Sequence, residues 1–476
     1  MNRFRRIVGL LILGLAALAA ATIWFELAAR NTDHVKPSHS GVVFGIWQVL
    51  YTTEPPSYRI LAIAVSFAVL FAAGVGWLEH RILTRSRRSD NPHAMPLAPK
   101  VVMAANRGQF AGPITVTVLI PAHNEEALLP ETLASLISQS APPDRIIVVA
   151  DNCTDATADI ARAASIEVIE TVGNVDKKAG ALNQVLRRLV PDQGDNDLVM
   201  VMDADTTLDQ GFLHVARRRF TDDRALMAVG GLFYGESGGG VIGQFQRNEY
   251  LRYSRDLRRR PGKVFVLTGT ASLFRPLALR TIAAERGKTL PGPPGEVYDT
   301  VALTEDNELT LALKSLGGLM MSPPECTVVT EVMPTWRSLW TQRLRWQRGA
   351  LENLGTYGLT LSTLRYWTQQ LGISYGVIAF AAYFLLMILM LVSSDNWIWY
   401  PFWLGVGGLF VVERVITVWR GGWGARCLAA LLFPELVYAM FLNVVYVRGI
   451  FEITVGRRAQ WGGHAPLAED QIAGSP

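Results

Sequence analysis

The chain has 476 residues, of which 50% are hydrophobic and 18% are charged, and its formal net charge is +4. This apolar content is too high for an ordinary soluble enzyme, whereas the charge content is too high for a protein that lies wholly within a bilayer. A nucleic-acid partner is excluded as well, because the net charge is small and the arginines gather beside apolar segments, as they do in proteins that contact anionic membrane surfaces.

Apolar runs near the N-terminus predict two membrane-spanning helices. Residues 7–25 and 60–78 are uncharged and close to the roughly 20 residues that cross a bilayer. Arginines precede the first run and follow the second, so both flanks are predicted to face the cytoplasm. A cleaved signal peptide is the alternative for residues 7–25, although the run is long for one. Residues 1–112 are thus predicted to hold two helices, an external loop and a basic cytoplasmic linker.

Between the membrane segments, residues 113–333 alternate between β-branched runs and helix patterns. The runs TVTVLIPA, RIIVVA and LVMVMDAD each end in polar residues, and a helix pattern follows each of them. This alternation predicts an α/β domain with a mainly parallel, Rossmann-like sheet, whose ligands bind beyond the carboxyl ends of the strands. The polar residues at those ends are His123, Asn124, Glu125, Asp151, Asn152, Asp203 and Asp205.

A dinucleotide-binding domain is the alternative interpretation of this pattern, because GGGVIG at residues 238–243 matches G-x-G-x-x-G. The match lies in the middle of the domain rather than at its first strand-to-helix turn. The next strand, KVFVL, leads to Thr268 and Gly269 instead of an acid that could bind ribose. A nicotinamide-dependent dehydrogenase is therefore rejected.

Two acidic motifs in this domain favour chemistry on a phosphorylated substrate. In VMDADT, Asp203 and Asp205 are alternate residues of an extended strand and point to one side, where they could hold Mg²⁺ or Mn²⁺ with diphosphate oxygens. Such a pair alone is weak, since aspartate is common in turns. The second motif is Thr304, Glu305 and Asp306 at the start of a predicted helix, where a helix-capping role is the alternative.

The stretch TQRLRWQRGA, residues 341–350, sets three arginines around Trp346. An interfacial helix with arginines toward lipid headgroups is the simplest interpretation. The more specific interpretation is a site that binds phosphate and sugar, because guanidinium groups fit phosphate oxygens and indole faces fit pyranose rings. Residues 334–370 are predicted to form amphipathic interfacial helices. A stripe at helical spacing that could lie on the bilayer comprises Trp336, Trp340 and Leu344.

Residues 371–447 are predicted to hold two or three further membrane segments. The apolar runs lie at about 373–392, 400–418 and 427–447. The last run is ambiguous, because Pro434 and Glu435 interrupt it and a third span would place the following arginines outside. The alternatives for this run are a membrane span, a re-entrant segment and an interfacial helix. The remaining residues, 448–476, are predicted to be a short basic and polar tail.

In chain order, PAHNEE, the DN of ADNCTD, KAGALN, DAD, TGT, TED and QRLRW resemble the motifs of membrane-integrated family 2 glycosyltransferases, the group that includes hyaluronan, chitin, poly-N-acetylglucosamine and cellulose synthases. The resemblance spans about residues 114–350. It implies a GT-A domain inserted between N- and C-terminal transmembrane helices, with the catalytic domain on the cytoplasmic side of the plasma (inner) membrane. It also implies transfer of a sugar from a UDP-linked donor with inversion at the anomeric carbon.

The resemblance also implies roles for individual residues. The residues implied to bind the nucleotide are Asp151, Lys178, Asn183, Glu125 and Asp203. Asp205 would ligate a divalent cation, Mg²⁺ or Mn²⁺, with Asp203 nearby. Asp306 would be the general base, and the other catalytic residues are Glu305, Gln342, Arg345 and Trp346. The acceptor would contact Thr268, Gly269, Thr270 and Trp346.

The leading prediction is a processive transferase that elongates a polysaccharide from UDP-N-acetylglucosamine or UDP-glucose, with a glycan or lipid-linked acceptor and membrane lipids as partners. A membrane transferase that adds one sugar to a lipid carrier, lipid or protein is the alternative. A non-catalytic sugar-sensing scaffold is a remote one. Within QRLRW, Arg345 is predicted to contact diphosphate and Arg343 to lie among lipid headgroups, so lysine should replace Arg343 but not Arg345.

Overall fold

The fold is described from a computed structural model. The structure describes residues 39–43, 47–51, 57–106, 112–259, 262, 264–393 and 401–457. The chain divides into two compact units, one comprising Met1–Arg85 with Arg365–Glu413 and the other Ser86–Leu364 with Arg414–Pro476. The predicted span at residues 7–25 lies outside the described residues.

Strands and helices alternate along much of the described chain. The strands are β1 (His39–Val43), β2 (Trp47–Tyr51), β3 (Thr115–Ala122), β4 (Arg145–Ala150), β5 (Glu167–Glu170), β6 (Asp197–Met202), β7 (Thr206–Leu208), β8 (Leu226–Gly230), β9 (Leu232–Gly235), β10 (Ala271–Phe274), β11 (Leu319–Met321) and β12 (Thr327–Thr330). The helices are α1 (Tyr58–Arg88), α2 (Pro99–Ala105), α3 (Leu129–Ile137), α4 (Thr157–Ala163), α5 (Lys177–Asp192), α6 (Phe212–Asp222), α7 (Gly240–Arg259), α8 (Pro276–Glu285), α9 (Glu305–Ser315), α10 (Trp336–Tyr357), α11 (Leu364–Ser393), α12 (Pro401–Thr417), α13 (Gly422–Ala430) and α14 (Phe433–Thr454).

Within the described residues, α1 and α14 are long and apolar enough to cross a membrane by length and composition, with mean hydropathies of 2.3 and 1.6 over their most apolar windows. The predicted segment at 60–78 lies within α1, and those at 373–392 and 400–418 fall on α11 and α12. The predicted segment at 427–447 is not one helix. A break separates α13 from α14, because Leu432 has a φ of 49° and Pro434 cannot continue the preceding helix.

A seven-stranded, mainly parallel sheet forms the centre of the second unit, in the order β11-β8-β10-β6-β3-β4-β5. Strand β10 is antiparallel to both of its neighbours, and the other pairs are parallel. The chain runs outward from β3 through β4 to β5 and then returns to β6 on the other side of β3. The carboxyl ends of β3 and β6 therefore border a topological switch point, where α/β sheets bind ligands.

Side chains alternate between two apolar layers along the central strands. In β6, Met200 packs in one buried cluster, whereas Val199 and Val201 pack in the other. Helices α5, α8 and α9 cover the face that holds Val199, and α3 and α6 cover the opposite face. The result is a three-layer α/β/α domain, as the alternation of strands and helices predicts.

The helix that carries QRLRW, α10, packs against α14. The rings of Trp336 and Trp340 lie 5.0 and 5.7 Å from the ring of Phe441, and Leu344 lies beside Gly449. These three side chains of the predicted interfacial stripe therefore contact a protein helix, α14.

Candidate active site

Polar side chains from three parallel strands meet at the carboxyl edge of the central sheet. Glu125 follows β3, Asp151 follows β4, and Asp203 and Asp205 follow β6. Parallel strands deliver such residues to one edge, so residues that are far apart in the sequence come together.

Asp151 is buried and organises the edge next to β4. Its Oδ1 accepts hydrogen bonds from Thr171 Oγ1 at 2.7 Å, Asn174 Nδ2 at 2.8 Å and Asn152 Nδ2 at 3.0 Å. Sequence reasoning missed Thr171 and Asn174. Their position just after β5, the next strand of the sheet, is the signal that could have found them.

Lys178 lies at the centre of the site and bridges two acidic motifs. Its Nζ is 2.5 Å from Asp203 Oδ1 and 3.0 Å from Glu305 Oε1. Burial by itself would lower the pKa of Lys178, but the two carboxylates outweigh it and hold that pKa well above its usual value. The ammonium group is therefore a fixed positive charge between DAD and TED.

Gly269 of TGT lies against this bridge. A Cβ atom at position 269 would stand 2.8 Å from Lys178 Nζ and 3.2 Å from Asp203 Oδ2, so any side chain would displace the ion pair. The neighbouring hydroxyl groups of Thr268 and Thr270 bond each other at 2.8 Å. The loop thus needs glycine for close approach, and it brings two hydroxyl groups close to the cavity that Asp306 lines.

Asp306 does not serve simply as a helix cap. Its Oδ2 accepts the backbone N–H of Gly269 at 3.2 Å, and its Oδ1 accepts that of Asn307 at 2.7 Å. Thr304, the N-cap residue of α9, makes no side-chain capping bond. Burial, and next the charge of Glu305, raise the pKa of Asp306 to about 6. The carboxylate is thereby suited to accept a proton near neutral pH.

Carboxylates crowd one side of the site. Burial raises the pKa of Asp205 to about 7, with Asp203 and Glu331 adding to the shift. Burial likewise raises the pKa of Glu125 to about 7, with Asp205 as the next cause. Sequence reasoning missed Glu331, which approaches only through the fold. Such mutual repulsion is what a bound divalent cation would relieve.

The donor set at this crowded side fits a hard cation such as Mg²⁺. Asp203 and Asp205 supply carboxylate oxygens, the ligand type that Mg²⁺ and Mn²⁺ prefer. Among the described residues, no group of three or more acidic, histidine or cysteine side chains is close enough to hold a metal ion without other ligands. Substrate phosphate oxygens would therefore have to complete the coordination, as is common for Mg²⁺.

Helix α10 brings Arg345 of QRLRW close to Lys177 and Glu305. The helix begins with a capping box, in which Thr335 Oγ1 accepts the N–H of Ser338 at 3.1 Å. Arg345 lies close enough to affect two site residues. Burial and then Arg345 lower the pKa of Lys177, and the pKa of Glu305 lies below its usual value because Lys178 and Arg345 outweigh burial. Cationic groups thus cluster where phosphate would bind.

Arg343 is buried, so its predicted position among lipid headgroups is wrong. Its guanidinium forms an ion pair with Glu249 at 2.9 Å, and the hydroxyl of Tyr438 donates to the same carboxylate at 2.6 Å. It also lies 4.3 Å from the ring centre of Trp346 and donates to Gln342 Oε1 at 3.2 Å. Arg343 is enclosed because α7 and α14 both pack against α10 at this point.

Asn183, which is predicted to help hold the nucleotide, makes its side-chain hydrogen bonds to the chain at Tyr298. Its side-chain amide donates to the carbonyl of Tyr298 at 2.9 Å and accepts the N–H of Tyr298 at 2.9 Å. The side chain is buried, and both of its polar groups are satisfied by this clamp. Asn183 therefore anchors the loop before TED, where Tyr298 lines the same cavity as Lys178 and Asp306.

Helix α10 is joined to the TED helix by residues spaced four apart. A Cβ atom at Gly349 would stand 2.6 Å from Thr304 Oγ1, so glycine permits close contact. Asn353 Nδ2 donates to the carbonyl of Thr304 at 3.1 Å, and Tyr357 donates to Glu308. QRLRW and TED are thus held as one assembly.

A scan against protein families identifies this part of the chain. The model described as "Glycosyl transferase family 2" matches residues 117–282. Residues 117–282 therefore resemble a family 2 glycosyltransferase domain. The match and the mainly parallel sheet confirm the predicted GT-A α/β domain, and they cover the segment that holds Asp151, Lys178, Asp203 and Asp205.

Relatives of the family 2 domain include proteins named as glycosyltransferases. The probable glycosyltransferase YdaM of Bacillus subtilis (strain 168) is 30% identical over 247 residues, which cover 49% of this chain and 54% of that protein. The poly-beta-1,6-N-acetyl-D-glucosamine synthase of Staphylococcus aureus (strain COL) is 26% identical over 249 residues, which cover 50% of this chain and 55% of that protein. The chain thus spans about half the length of the curated relatives it matches.

Among solved structures, the mannosyltransferase PcManGT of Pyrobaculum calidifontis, in complex with GDP-Man and Mn²⁺, aligns with a TM-score of 0.45 and 16% identity, over 81% of this chain and 96% of that chain. The glucosyl-3-phosphoglycerate synthase of Mycobacterium tuberculosis, in complex with Mn²⁺, UDP-glucose and phosphoglyceric acid, aligns with a TM-score of 0.34 and 18% identity, over 55% of this chain and 84% of that chain. These likenesses are too distant to transfer a ligand or a residue's role.

Proposed function

We propose that this protein is an inverting membrane glycosyltransferase that moves a sugar from a UDP-linked donor to a growing polysaccharide. One observation carries the proposal. Lys178 joins Asp203 to Glu305 directly beside Asp306, so a cation, a candidate metal-binding acid and a candidate base share one small site. The family 2 domain supports the same class of reaction.

Asp306 is the general base of the proposed reaction. Its carboxylate takes the proton of an acceptor hydroxyl, whose oxygen then forms a bond to the anomeric carbon of the donor sugar. The bond between that carbon and the diphosphate oxygen breaks, and UDP leaves with the electron pair. The transition state at carbon resembles an oxocarbenium ion. Because the nucleophile enters opposite the leaving group, the configuration at the carbon inverts.

Cationic residues stabilise the diphosphate as its negative charge grows. Lys178 is held as an ammonium group by Asp203 and Glu305, and Arg345 lies close enough to Glu305 to help lower the pKa of that carboxyl. Asp205 and Asp203 would hold a divalent cation. When bound, that cation would neutralise charge on the diphosphate and so lower the barrier to its departure.

The acceptor sugar is bound by Trp346 and by the TGT loop in this proposal. Arg343 fixes the orientation of Trp346 by lying 4.3 Å from its ring centre, and an indole face suits the C–H face of a sugar. The hydroxyl groups of Thr268 and Thr270 are hydrogen-bond donors and acceptors for sugar hydroxyls.

Membrane integration and a polymeric product complete the proposal. Helix α1 has a window of mean hydropathy 2.3, none of which is buried, and the four arginines Arg81, Arg85, Arg87 and Arg88 lie at its end. Because one relative is a poly-beta-1,6-N-acetyl-D-glucosamine synthase, UDP-N-acetylglucosamine is the first donor to test, followed by UDP-glucose.

The test is incubation of the purified protein in nanodiscs with each radiolabelled UDP-sugar and Mg²⁺ or Mn²⁺. We expect UDP release and a ladder of labelled products, whereas Asp306→Asn should keep UDP binding and lose transfer by about a hundredfold or more. Asp222→Asn, on an exposed helix end, is the matched control and should remain active.

Three outcomes distinguish the alternatives. A single labelled product without a ladder would indicate addition of one sugar to a lipid or protein. Sugar binding without UDP release for every donor would favour a non-catalytic scaffold. An Asp306→Asn variant with full activity would remove Asp306 from the chemistry.

A further inference from the structure

Helix α14 has the length and hydropathy of a membrane span, yet both of its ends are ion-paired to helices of its own unit. Near its start, Glu435 accepts two hydrogen bonds from Arg252 Nη2 of α7, at 2.7 and 2.8 Å. Near its end, Glu452 lies 3.3 Å from Arg348 of α10. Both carboxylates are largely buried, with exposed side-chain fractions of 5% and 13%. The helix is therefore held along its whole length.

Helices α10 and α14 run side by side in the same direction. Successive contacts join Trp336 to Phe441, Leu344 to Gly449, and Arg348 to Glu452. Because the partners advance together along both chains, neither helix can cross a bilayer without carrying the other into it.

Helix α10 cannot enter the hydrocarbon core. It carries five charged side chains, Arg337, Arg343, Arg345, Arg348 and Glu352. Charged side chains are costly inside the hydrocarbon core, so a helix that carries five of them opposes insertion of the α10–α14 pair. The catalytic motif would also leave the aqueous phase that holds its nucleotide. The pair must therefore stay on the side of the catalytic domain.

The outer face of α14 is nevertheless apolar and exposed. The stripe consists of Phe433, Val437, Met440, Val444, Val447, Phe451 and Val455, whose exposed fractions range from 37% to 68%. Its members recur three or four residues apart, so they form one continuous helical face. The opposite face is buried and includes Tyr438, Val445, Tyr446 and Gly449.

The segment that directly precedes α14 has the composition of a lipid-facing surface. Trp419 and Trp423 are 55% and 76% exposed, and the guanidinium of Arg426 lies 4.2 and 5.1 Å from their ring centres. Between residues 414 and 457 the acidic side chains are Glu435 and Glu452, which both face inward. Exposed tryptophans with arginines and no outward carboxylate match the anionic headgroup region of a membrane.

We propose that α14 lies flat in the lipid monolayer on the side of the catalytic domain, with its apolar stripe below the headgroups. This inference rests on the proposed membrane integration of the protein. The partner of the apolar stripe is thus the lipid surface, and α14 does not cross the membrane. Its position keeps α10, and with it QRLRW, at the membrane surface, and it leaves the C-terminus on the same side as the active site.

The test measures the depth of labels along the stripe. Val437→Cys, Val444→Cys and Phe451→Cys, each made after Cys153 and Cys427 are replaced by serine, are labelled with an environment-sensitive fluorophore in nanodiscs. Lipids carry a quencher near the headgroup or near the end of the acyl chain. We expect all three labels to be quenched more strongly by the shallow quencher. Arg218→Cys, on an exposed face of α6, should be quenched by neither.

Other outcomes would overturn the inference in distinguishable ways. A Val444 label that is quenched best by the deep quencher, with shallow labels at either end, would make α14 a span. Unquenched labels in a protein that stays in nanodiscs would indicate that another protein covers the stripe. Loss of the protein from nanodiscs would refute membrane integration itself.

The position of the C-terminus gives an independent readout. Ser475→Cys, in the same background, should react with a membrane-impermeant maleimide in inverted vesicles but not in intact cells, as should Arg218→Cys. Opposite labelling of the two positions would contradict the flat arrangement while leaving the transferase activity unaffected.

Discussion

At the scale of single residues, Asp306 has the environment that a general base requires. The groups that face it are Gly269 N–H, Asn307 N–H and the charges of Glu305, Lys178 and Asp203. Burial and Glu305 disfavour the carboxylate, whereas Lys178 favours it, and the balance leaves the pKa at about 6 rather than near 4. A base of this strength is available at neutral pH and holds a proton well enough to assist transfer.

The pKa of Asp306 predicts how kcat/KM for the acceptor depends on pH. Only the ionised carboxylate accepts the acceptor proton, and its raised pKa means that protonation begins to dominate below about pH 6. We expect kcat/KM to fall about tenfold per pH unit below that value and to level off above it. The measurement is UDP release at acceptor concentrations below KM. The affinity for UDP, measured over the same pH range, should not fall in the same way. A fall in UDP affinity alone would assign the titration to another group.

Arg343 links the QRLRW helix to two other helices and fixes Trp346. The pairing with Glu249 and the hydroxyl of Tyr438 holds the guanidinium in one plane, and that plane covers Trp346. A lysine would keep the charge but could not make the planar contact. The expectation that lysine is tolerated at position 343 is therefore reversed.

We predict that Arg343→Lys lowers transfer roughly tenfold. A desolvated cation–π contact is worth about 2 kcal/mol, and about 1.4 kcal/mol corresponds to a factor of ten in rate. Because Arg343 acts through Trp346, the loss should appear as weaker acceptor binding, with UDP affinity unchanged. Arg337→Lys, at an exposed position of the same helix, is the control and should match the wild type. Equal transfer by both variants would deny Arg343 a positioning role.

At the scale of elements, α9 and α10 act as one catalytic assembly. Gly349, Asn353 and Tyr357 are four residues apart and contact Thr304 or Glu308 of the TED segment. Glu308 also forms a buried two-point ion pair with Arg286, which holds the carbonyl of Val297 in the preceding loop. The loop, the TED helix and the QRLRW helix are thereby fixed relative to each other.

We predict that Gly349→Ala lowers transfer and stability together. The added methyl group would stand 2.6 Å from Thr304 Oγ1 and 2.7 Å from Thr304 Cγ2, so α9 and α10 must separate. Overpacking of this kind costs about 1–3 kcal/mol in the free energy of unfolding. Thermal unfolding in detergent and UDP release measure the two effects.

Gly355→Ala is the matched control, because it is the same change on the same helix with nothing within 4 Å of the new Cβ. It should stabilise the helix by about 0.5–1 kcal/mol and leave transfer unchanged. A Gly349→Ala variant that behaves like Gly355→Ala would show that the close approach of α10 to TED is dispensable.

At the scale of the whole molecule, the distribution of charge separates helices that look alike in hydropathy. The most apolar window of α1 is exposed and free of burial, whereas α14 has Glu435 and Glu452 turned toward α7 and α10. Hydropathy alone treats both as spans. Under our proposal, these ion pairs keep α14 at the membrane surface. They also place α10, the helix that carries QRLRW, at the level of the lipid headgroups.

Much of the fold and part of the site could be predicted from local patterns. Alternating β-branched runs specify buried parallel strands, and strand ends specify where Asp203, Asp205 and Asp151 must gather. The role of Asn183 could not be predicted, because Tyr298, its hydrogen-bond partner, lies far along the chain. The carboxylate of Glu331 could not be placed for the same reason, since it reaches the site only after β12 has paired with β7.

The sequence by itself determined the domain type, the order of strands and helices, and the motifs that meet at the sheet edge. These features follow from side-chain periodicity and short-range spacing, which are properties of neighbouring residues. Only the tertiary structure decided that Arg343 is buried and that α14 lies along α10. Both outcomes depend on contacts with carboxylates and aromatic rings that are distant in the sequence. Packing between elements determines these contacts, so local sequence patterns cannot predict them.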